Sequence, residues 1–190
     1  MTETLDVALK EWDIVRDALR TGRQILLLRK GGITECGGEF KLEHDQFLIF
    51  PTFVHQNYKL LKPEAHSRFQ PASSEPEAIR IDTVAQLTDV LPLKTRTQMD
   101  LLDEQHIWST PLIDMRFNYK PQKPLYLLIV RAYRLSDPVT IQNTPQYAGC
   151  KSWVPLAVTI HCHGATAALD DQSFEAKRKK TIECISNSVR

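Results

Sequence analysis

No apolar run in this 190-residue chain is long enough to cross a membrane. The longest, such as LYLLIV, fall far short of the ~18 residues a spanning helix needs. The first residues, MTETLDVALKEW, carry acids where a secretory leader carries cations, and no apolar h-region follows them. These absences set the expectation of a cytoplasmic protein with no membrane partner. Paired cysteine motifs are missing too. Cys36, Cys150, Cys162 and Cys184 are scattered with no C-x-x-C, which suits reduced thiols better than a disulfide framework. Charge of one sign is not in excess: the formal net charge is +1, so no global field draws the protein to nucleic acid. A local basic patch stays open. Glycine is scarce, with seven in all. No G-x-G-x-x-G occurs. Gly32 and Gly37 have Walker A spacing, but Gly38 and Glu39 stand where a lysine and a hydroxyl would engage phosphate and magnesium. No nucleophile elbow, Ser-His-Asp spacing or internal repeat appears.

What is present reads as one ordinary α+β domain. The chain is 42% hydrophobic and 25% charged, close to a typical globular composition. Leu5, Ala8, Leu9, Trp12, Val15, Ala18 and Leu19 recur at spacings of three and four, which predicts an N-terminal helix stopped at Gly22. Strands are expected at 24–28, 46–50, 78–93 and 125–135, with shorter ones at 139–141 and 153–160. A short helix is expected from Thr97 on, and residues 62–77 and 109–124, rich in proline, read as connections. Strands and helices do not alternate regularly, so a Rossmann-type sheet is not expected. A mixed or closed, β-barrel-like sheet with a flanking N-terminal helix fits better. Residues 1–160 form the expected domain. Residues 161–190, with KRKK inside a weakly amphipathic stretch, read as a mobile or loosely docked basic tail.

Four features could carry chemistry. The first is the stretch LLLRKGGITECGGEF. Arg29 and Lys30 end an apolar run, and Gly31 and Gly32 free the backbone to take positive φ and point N–H groups at an anion. The plain alternative is a strand-to-strand turn with solvated cations. The second is Glu39-Phe40-Lys41, an E-x-K in a β-rich stretch. With Glu35 or Asp45 it has the elements of a PD-(D/E)XK nuclease, in which acids hold magnesium and the lysine aids the attacking water. The third is His161-Cys162-His163. Alternate residues of a strand share a face, but zinc needs about two further ligands, for which Cys150 and Cys184 are candidates only by their existence. The fourth is the set of aromatics beside cations. Trp108, Trp153, Tyr133, Tyr147 and Phe117 lie near Arg116, Arg131, Arg134 and Lys151 and could stack bases or simply pack a core. Cys36 sits inside the glycine stretch.

Several segments together resemble a known family. ALKEW (8–12), QILLLRKGGI (24–33), FLIFPTFVHQ (47–56), HIW (106–108), RFNY (116–119), PLYLLIVRAYRL (124–135) and GCKSWV (149–154) are similar, in order, to a bacterial domain of unknown function numbered 1802. The resemblance spans roughly residues 5–158 and implies no chemistry. Phe50 and Phe53 stand where the pattern suggests tyrosine. A fainter similarity in element order is to PUA-like barrels, including the EVE and ASCH modules. It implies a small β-barrel binding RNA or modified bases, with the turn at Arg29 near its mouth and phosphate contacts positioning the ligand.

The expectation is therefore a non-catalytic nucleic-acid or nucleotide-binding module with no cofactor and no metal. Its partner would be RNA or DNA. The candidate ligand contacts are Arg29, Lys30, Gly31 and Gly32 in the turn, then His55, Trp108, Arg131, Arg134 and Trp153. The alternatives are a metal-dependent nuclease using Glu39 and Lys41, and a protein-interaction module that binds no nucleic acid.

Overall fold

The computed structural model describes residues 2–30, 33–36, 39–149 and 151–187, with 33–36 and 39–41 described by their backbone only. Gly31, Gly32, Cys150 and the side chains of Cys36, Glu39 and Lys41, all named above, lie outside the described residues.

The chain opens with strand β1 (Thr4–Trp12), and helix α1 (Asp13–Arg20) follows without a loop. The N-terminal helix is therefore half the expected length. The three-and-four spacing of its first half belongs to an inner strand. β1 lies between two neighbours, and Ala8 and Leu9 are both buried, so its burial does not alternate. An inner strand of this kind is hard to tell from a helix by period alone. α1 itself is amphipathic as expected, burying Ile14, Val15, Ala18 and Leu19. Gly22 takes φ +69°, and its N–H donates to the Leu19 carbonyl, so it ends the helix in the left-handed conformation that glycine tolerates.

The remaining strands are β2 (Leu26–Arg29), β3 (Ile33–Cys36), β4 (Glu39–Leu42), β5 (Gln46–Thr52), β6 (Ala78–Leu93), β7 (Leu125–Gln142), β8 (Trp153–His161) and β9 (Thr166–Ala167). The main sheet runs β2-β7-β6-β5-β1-β8, with β9 added beside β7, while β3 and β4 form a separate hairpin ladder. The sheet is mixed. β1 and β5 are parallel, and every other pairing along it is antiparallel. Its two ends, β2 and β8, do not pair among the described residues, so hydrogen bonds do not close it into a barrel.

β6 matches its expected range and is bent by register shifts at Ile81/Thr83 and Leu87/Asp89. β7 runs unbroken through both segments that the sequence separated, because Pro138 lies where β6 departs from regular pairing. Residues 109–124, expected to be a connection, include helix α3 (Thr110–Asn118). Pro111 stands in its first turn, where the missing N–H costs nothing. The expected helix from Thr97 is only one turn, α2 (Thr97–Asp100).

Beyond residue 161, where a mobile or loosely docked tail was expected, helix α4 (Asp171–Asn187) buries Phe174, Thr181 and Ile185. Phe174 and Ile185 belong to the main core, with Phe47, Leu27 and Leu128. The KRKK run supplies part of the docking. Lys177 donates to the carbonyls of Gly22 and Arg23 at 3.0 and 3.1 Å, and Arg178 forks onto Asp89 at 2.6 and 2.8 Å. No helix among the described residues is long and apolar enough to cross a membrane.

Candidate functional site

The parallel pair β1 and β5 ends at one level, with Lys10 beside Phe50 and Trp12 beside Thr52. β5 stops there for a local reason. Pro51 has no N–H to extend the ladder, and the chain turns at once through 53–56. The side-chain amide oxygen of Gln56 then accepts from Ile14 N–H at 2.8 Å, serving the start of α1. Over these strand ends opens a cleft of about 780 Å³. Its walls are Lys10, Glu11 and Trp12 from β1, Phe50 and Thr52 from β5, Arg29 from β2, Arg116 from α3, and residues 143–145, 147–149, 151 and 152 between β7 and β8. His55 and Glu75 stand at its edge.

The cleft is cationic. Glu11 is nearly buried and takes Arg29 as its partner at 2.7 Å, while its other oxygen accepts from Trp12 N–H at 2.9 Å. Arg29 also donates to the Lys10 carbonyl at 2.9 Å. Burial pushes the Arg29 guanidinium below its ordinary pKa. Glu11 pulls it back up, and the positive charge of Arg116 lowers it further. The Nε atoms of Arg29 and Arg116 are buried and find no hydrogen-bond partner among the described residues. The second carboxylate, Glu75, is also engaged: it accepts from Phe53 N–H and Val54 N–H at 3.0 Å each. Lys10 holds the far wall by donating to the Tyr147 carbonyl and, at 3.0 Å, to the Gly149 carbonyl. Tyr147 is itself anchored. Its ring lies 5.3 Å from that of Phe50, and its hydroxyl accepts from Ala157 N–H at 3.0 Å.

Of the candidate ligand contacts named from sequence, Arg29 and His55 line this cleft, and so do Arg116, Tyr147 and Lys151 from the set of aromatics beside cations. Gly31 and Gly32 lie outside the described residues, and the remaining ligand candidates go elsewhere. Lys30 reaches the Arg116 and Phe117 carbonyls at 3.0 and 2.7 Å and so tethers the end of α3. Trp108 is buried in the core, 5.3 Å from the His106 ring. Arg131 pairs with Asp171 and lies over the rings of Tyr133 and Phe174. Arg134 donates to the Ala167 carbonyl at 3.1 Å. Trp153, next to the cleft-lining Ser152, packs edge-on against Phe47 and His44. His161 and His163 share a smaller hollow with Asp137, and Cys162 is buried. No group of three or more His, Cys, Asp or Glu side chains is placed to hold a metal among the described residues.

Lys10, Glu11 and Trp12 were not singled out from sequence, and Arg116 and Lys151 appeared only in the set of aromatics beside cations. One signal did contain them. Five of the segments that carried the family resemblance, those at 8–12, 24–33, 47–56, 116–119 and 149–154, each supply a wall of the cleft.

Two solved structures are similar to the chain. Both are mutant forms of the ZmASCH protein from Zymomonas mobilis, at 10% and 11% sequence identity and a TM-score of 0.44. The matches cover 91% of this chain and 94% and 96% of those chains. No curated protein matches. A family profile matches residues 8–180, beyond the expected limit near 158 and through most of α4, and the chain belongs to that family, DUF1802, a domain of unknown function.

Proposed function

We propose that the protein binds a phosphate-bearing ligand, a nucleotide or a nucleotide unit of RNA or DNA, in the β1–β5 cleft without transforming it. One observation carries this reading. Lys10, Arg29, Arg116 and Lys151 converge on the cleft, and its two carboxylates are already engaged. An anion entering there meets surplus positive charge. The volume falls within the ~300–1,000 Å³ of small-ligand sites. Trp12 offers apolar surface to a base. The free, inward-packed Cys162 and Cys184 fit the cytoplasmic setting in which such ligands abound.

The test is a titration of the protein with mononucleotides and with short single-stranded and duplex RNA and DNA. It is run at two salt concentrations, with and without magnesium, and each sample is checked for cleavage. Saturable, salt-sensitive binding of intact ligand is expected. Arg116→Ala combined with Lys151→Ala should weaken it by about tenfold or more, with a shallower salt dependence. Magnesium-dependent cleavage would instead favour the nuclease reading centred on Glu39 and Lys41. Absence of binding to any of these ligands would overturn the proposal and favour a protein partner.

A further inference from the structure

A second concentration of arginine lies outside the cleft, on and around α1. Arg16 forks onto Asp82 through Nη1 at 2.9 Å to each oxygen and also meets Asp13. Arg20 reaches the same Asp82 at 3.2 Å, and Arg80 of β6 approaches it at 3.9 Å. One turn away, Arg23 and Arg68 share Asp17 at 2.6 and 2.7 Å. Five guanidinium groups are thus served by three carboxylates. Asp82 is almost fully buried, while Arg80 and Arg68 are 62% and 47% exposed. Asp82 therefore faces inward and holds its arginines in place, and Arg80 and Arg68 turn guanidinium edges to solvent while Arg16 lies largely buried. This is more than structure needs, since one partner per buried acid would satisfy Asp82 and Asp17.

The patch adjoins the cleft. Asn143, in the cleft wall, donates to the carbonyls of Pro76 and Glu77, which fixes the start of β6 at the rim. Arg80 pairs in register with Thr140, three residues from Asn143, or ~10 Å along the strand. α1 leaves the cleft directly from Trp12 and runs for ~12 Å. Arg80 and Arg16 meet at the same Asp82, so the arginine face starts beside the cleft wall and runs on along α1 for ~12 Å, the length of about three phosphates in a stacked strand at ~3.4 Å each.

We infer that the arginine face of α1, with Arg68 and Arg80, is a docking track for the backbone of a single-stranded nucleic acid whose terminal or looped-out nucleotide enters the cleft. The inference rests on the cleft reading for the identity of that nucleotide and stands apart from it for the track. A single strand suits the geometry because a base can enter the cleft without first leaving a paired stack, a step that costs a duplex a few kcal/mol. Guanidinium groups held by carboxylates are preordered, so little side-chain entropy is lost on binding phosphate.

The experiment compares a mononucleotide with a single-stranded RNA of about twelve nucleotides, a length within the site sizes of single-strand binders. Both are titrated against the parent protein and against Arg68→Ala combined with Arg80→Ala. These two side chains are the most exposed of the five, so the fold should be retained, and circular dichroism checks this. The expected result has three parts. The oligonucleotide binds at least about tenfold tighter than the mononucleotide. The double variant loses most of that gain, and its salt slope falls by about 1.4, the share of two phosphate contacts. Its mononucleotide affinity is unchanged. An oligonucleotide that binds no tighter than the mononucleotide, or equally well to the variant, overturns the track. Equal competition by polyglutamate also overturns it and assigns the face to an acidic protein segment. Should the mononucleotide fail to bind while the variant still weakens the oligonucleotide, the cleft reading falls and the track stands.

Discussion

Burial holds the His106 imidazole at a pKa of about 4, below its ordinary 6.5, and the charge of nearby Lys62 pushes the same way. Asp103, paired with Lys62 at 2.8 Å, offsets part of this. The folded protein therefore carries His106 neutral where the unfolded chain would protonate it. As pH falls below about 6.5 the unfolded state takes up the proton first, so stability declines until about pH 4 and then levels off. The shift is worth about 3 kcal/mol over that window. Urea midpoints of the parent and of His106→Leu, measured from pH 7 to pH 4, check this. The stability of the parent relative to the variant should fall through the window, and a constant difference would refute the assignment. Arg29 allows a second test at this scale. With Glu11 it forms a nearly buried ion pair, so Arg29→Met leaves a carboxylate uncompensated and should cost ~3–5 kcal/mol of stability. Adding Glu11→Gln to that variant should restore part of the loss. Arg116→Ala, with no ion partner to strand among the described residues, should cost far less. Arg116 is therefore the informative position for ligand binding.

Among the elements, α4 shows what periodicity hides. Its buried face is carried by Phe174, Thr181 and Ile185, and the middle residue is polar. Thr181 is buried because its hydroxyl is satisfied, donating to the Lys177 carbonyl at 2.9 Å and meeting the Gln105 side chain at 2.8 Å. A hydropathy pattern cannot register such a position. Phe174→Ala should lower stability by ~3–5 kcal/mol, measured by urea unfolding, because the ring fills the core beneath the Arg131 guanidinium. A loss under 1 kcal/mol would mean that α4 is not part of the cooperative unit. Strand β6 was legible because β-branched and apolar residues recur along it, and the first part of β7 because LYLLIV is continuously apolar. The border between β1 and α1 was not, since one apolar spacing served a strand and a helix in succession. α3 was hidden by Pro111, read as a breaker where it is a starter. The cleft was legible at Arg29 and His55, and at Arg116, Tyr147 and Lys151 only as members of a wider set of aromatics beside cations. Its other walls come from strand ends and a loop that meet through the parallel pairing of β1 with β5, a long-range event that leaves no local period. Lys30, Arg131 and Arg134 looked equally available in sequence. Carbonyl groups and Asp171 engage them in the fold.

Over the whole molecule, a formal net charge of +1 leaves almost no field at long range. Affinity for an anion must then come from where the cations sit, not from how many there are. At physiological salt the screening length is ~8 Å, shorter than the molecule, so distant charges are felt weakly. This separates two substitutions that both remove positive charge. Lys179 lies on the exposed side of α4 with Glu183 as its partner and shares no partner with the cleft. Lys179→Glu changes the net charge by two, from +1 to −1, yet should alter mononucleotide affinity by less than about twofold, within ~0.4 kcal/mol. Lys151→Ala changes it by only one but removes a cation from the cleft wall, and should weaken the same ligand by about fivefold or more, ~1 kcal/mol. Isothermal titration of both variants at low and physiological salt measures the difference. The gap should narrow at low salt, where the Debye length grows to ~30 Å and the remote charge begins to count. If Lys179→Glu weakened binding as much as Lys151→Ala at physiological salt, the ligand would be responding to total charge, and the cleft would lose its claim to be the binding site.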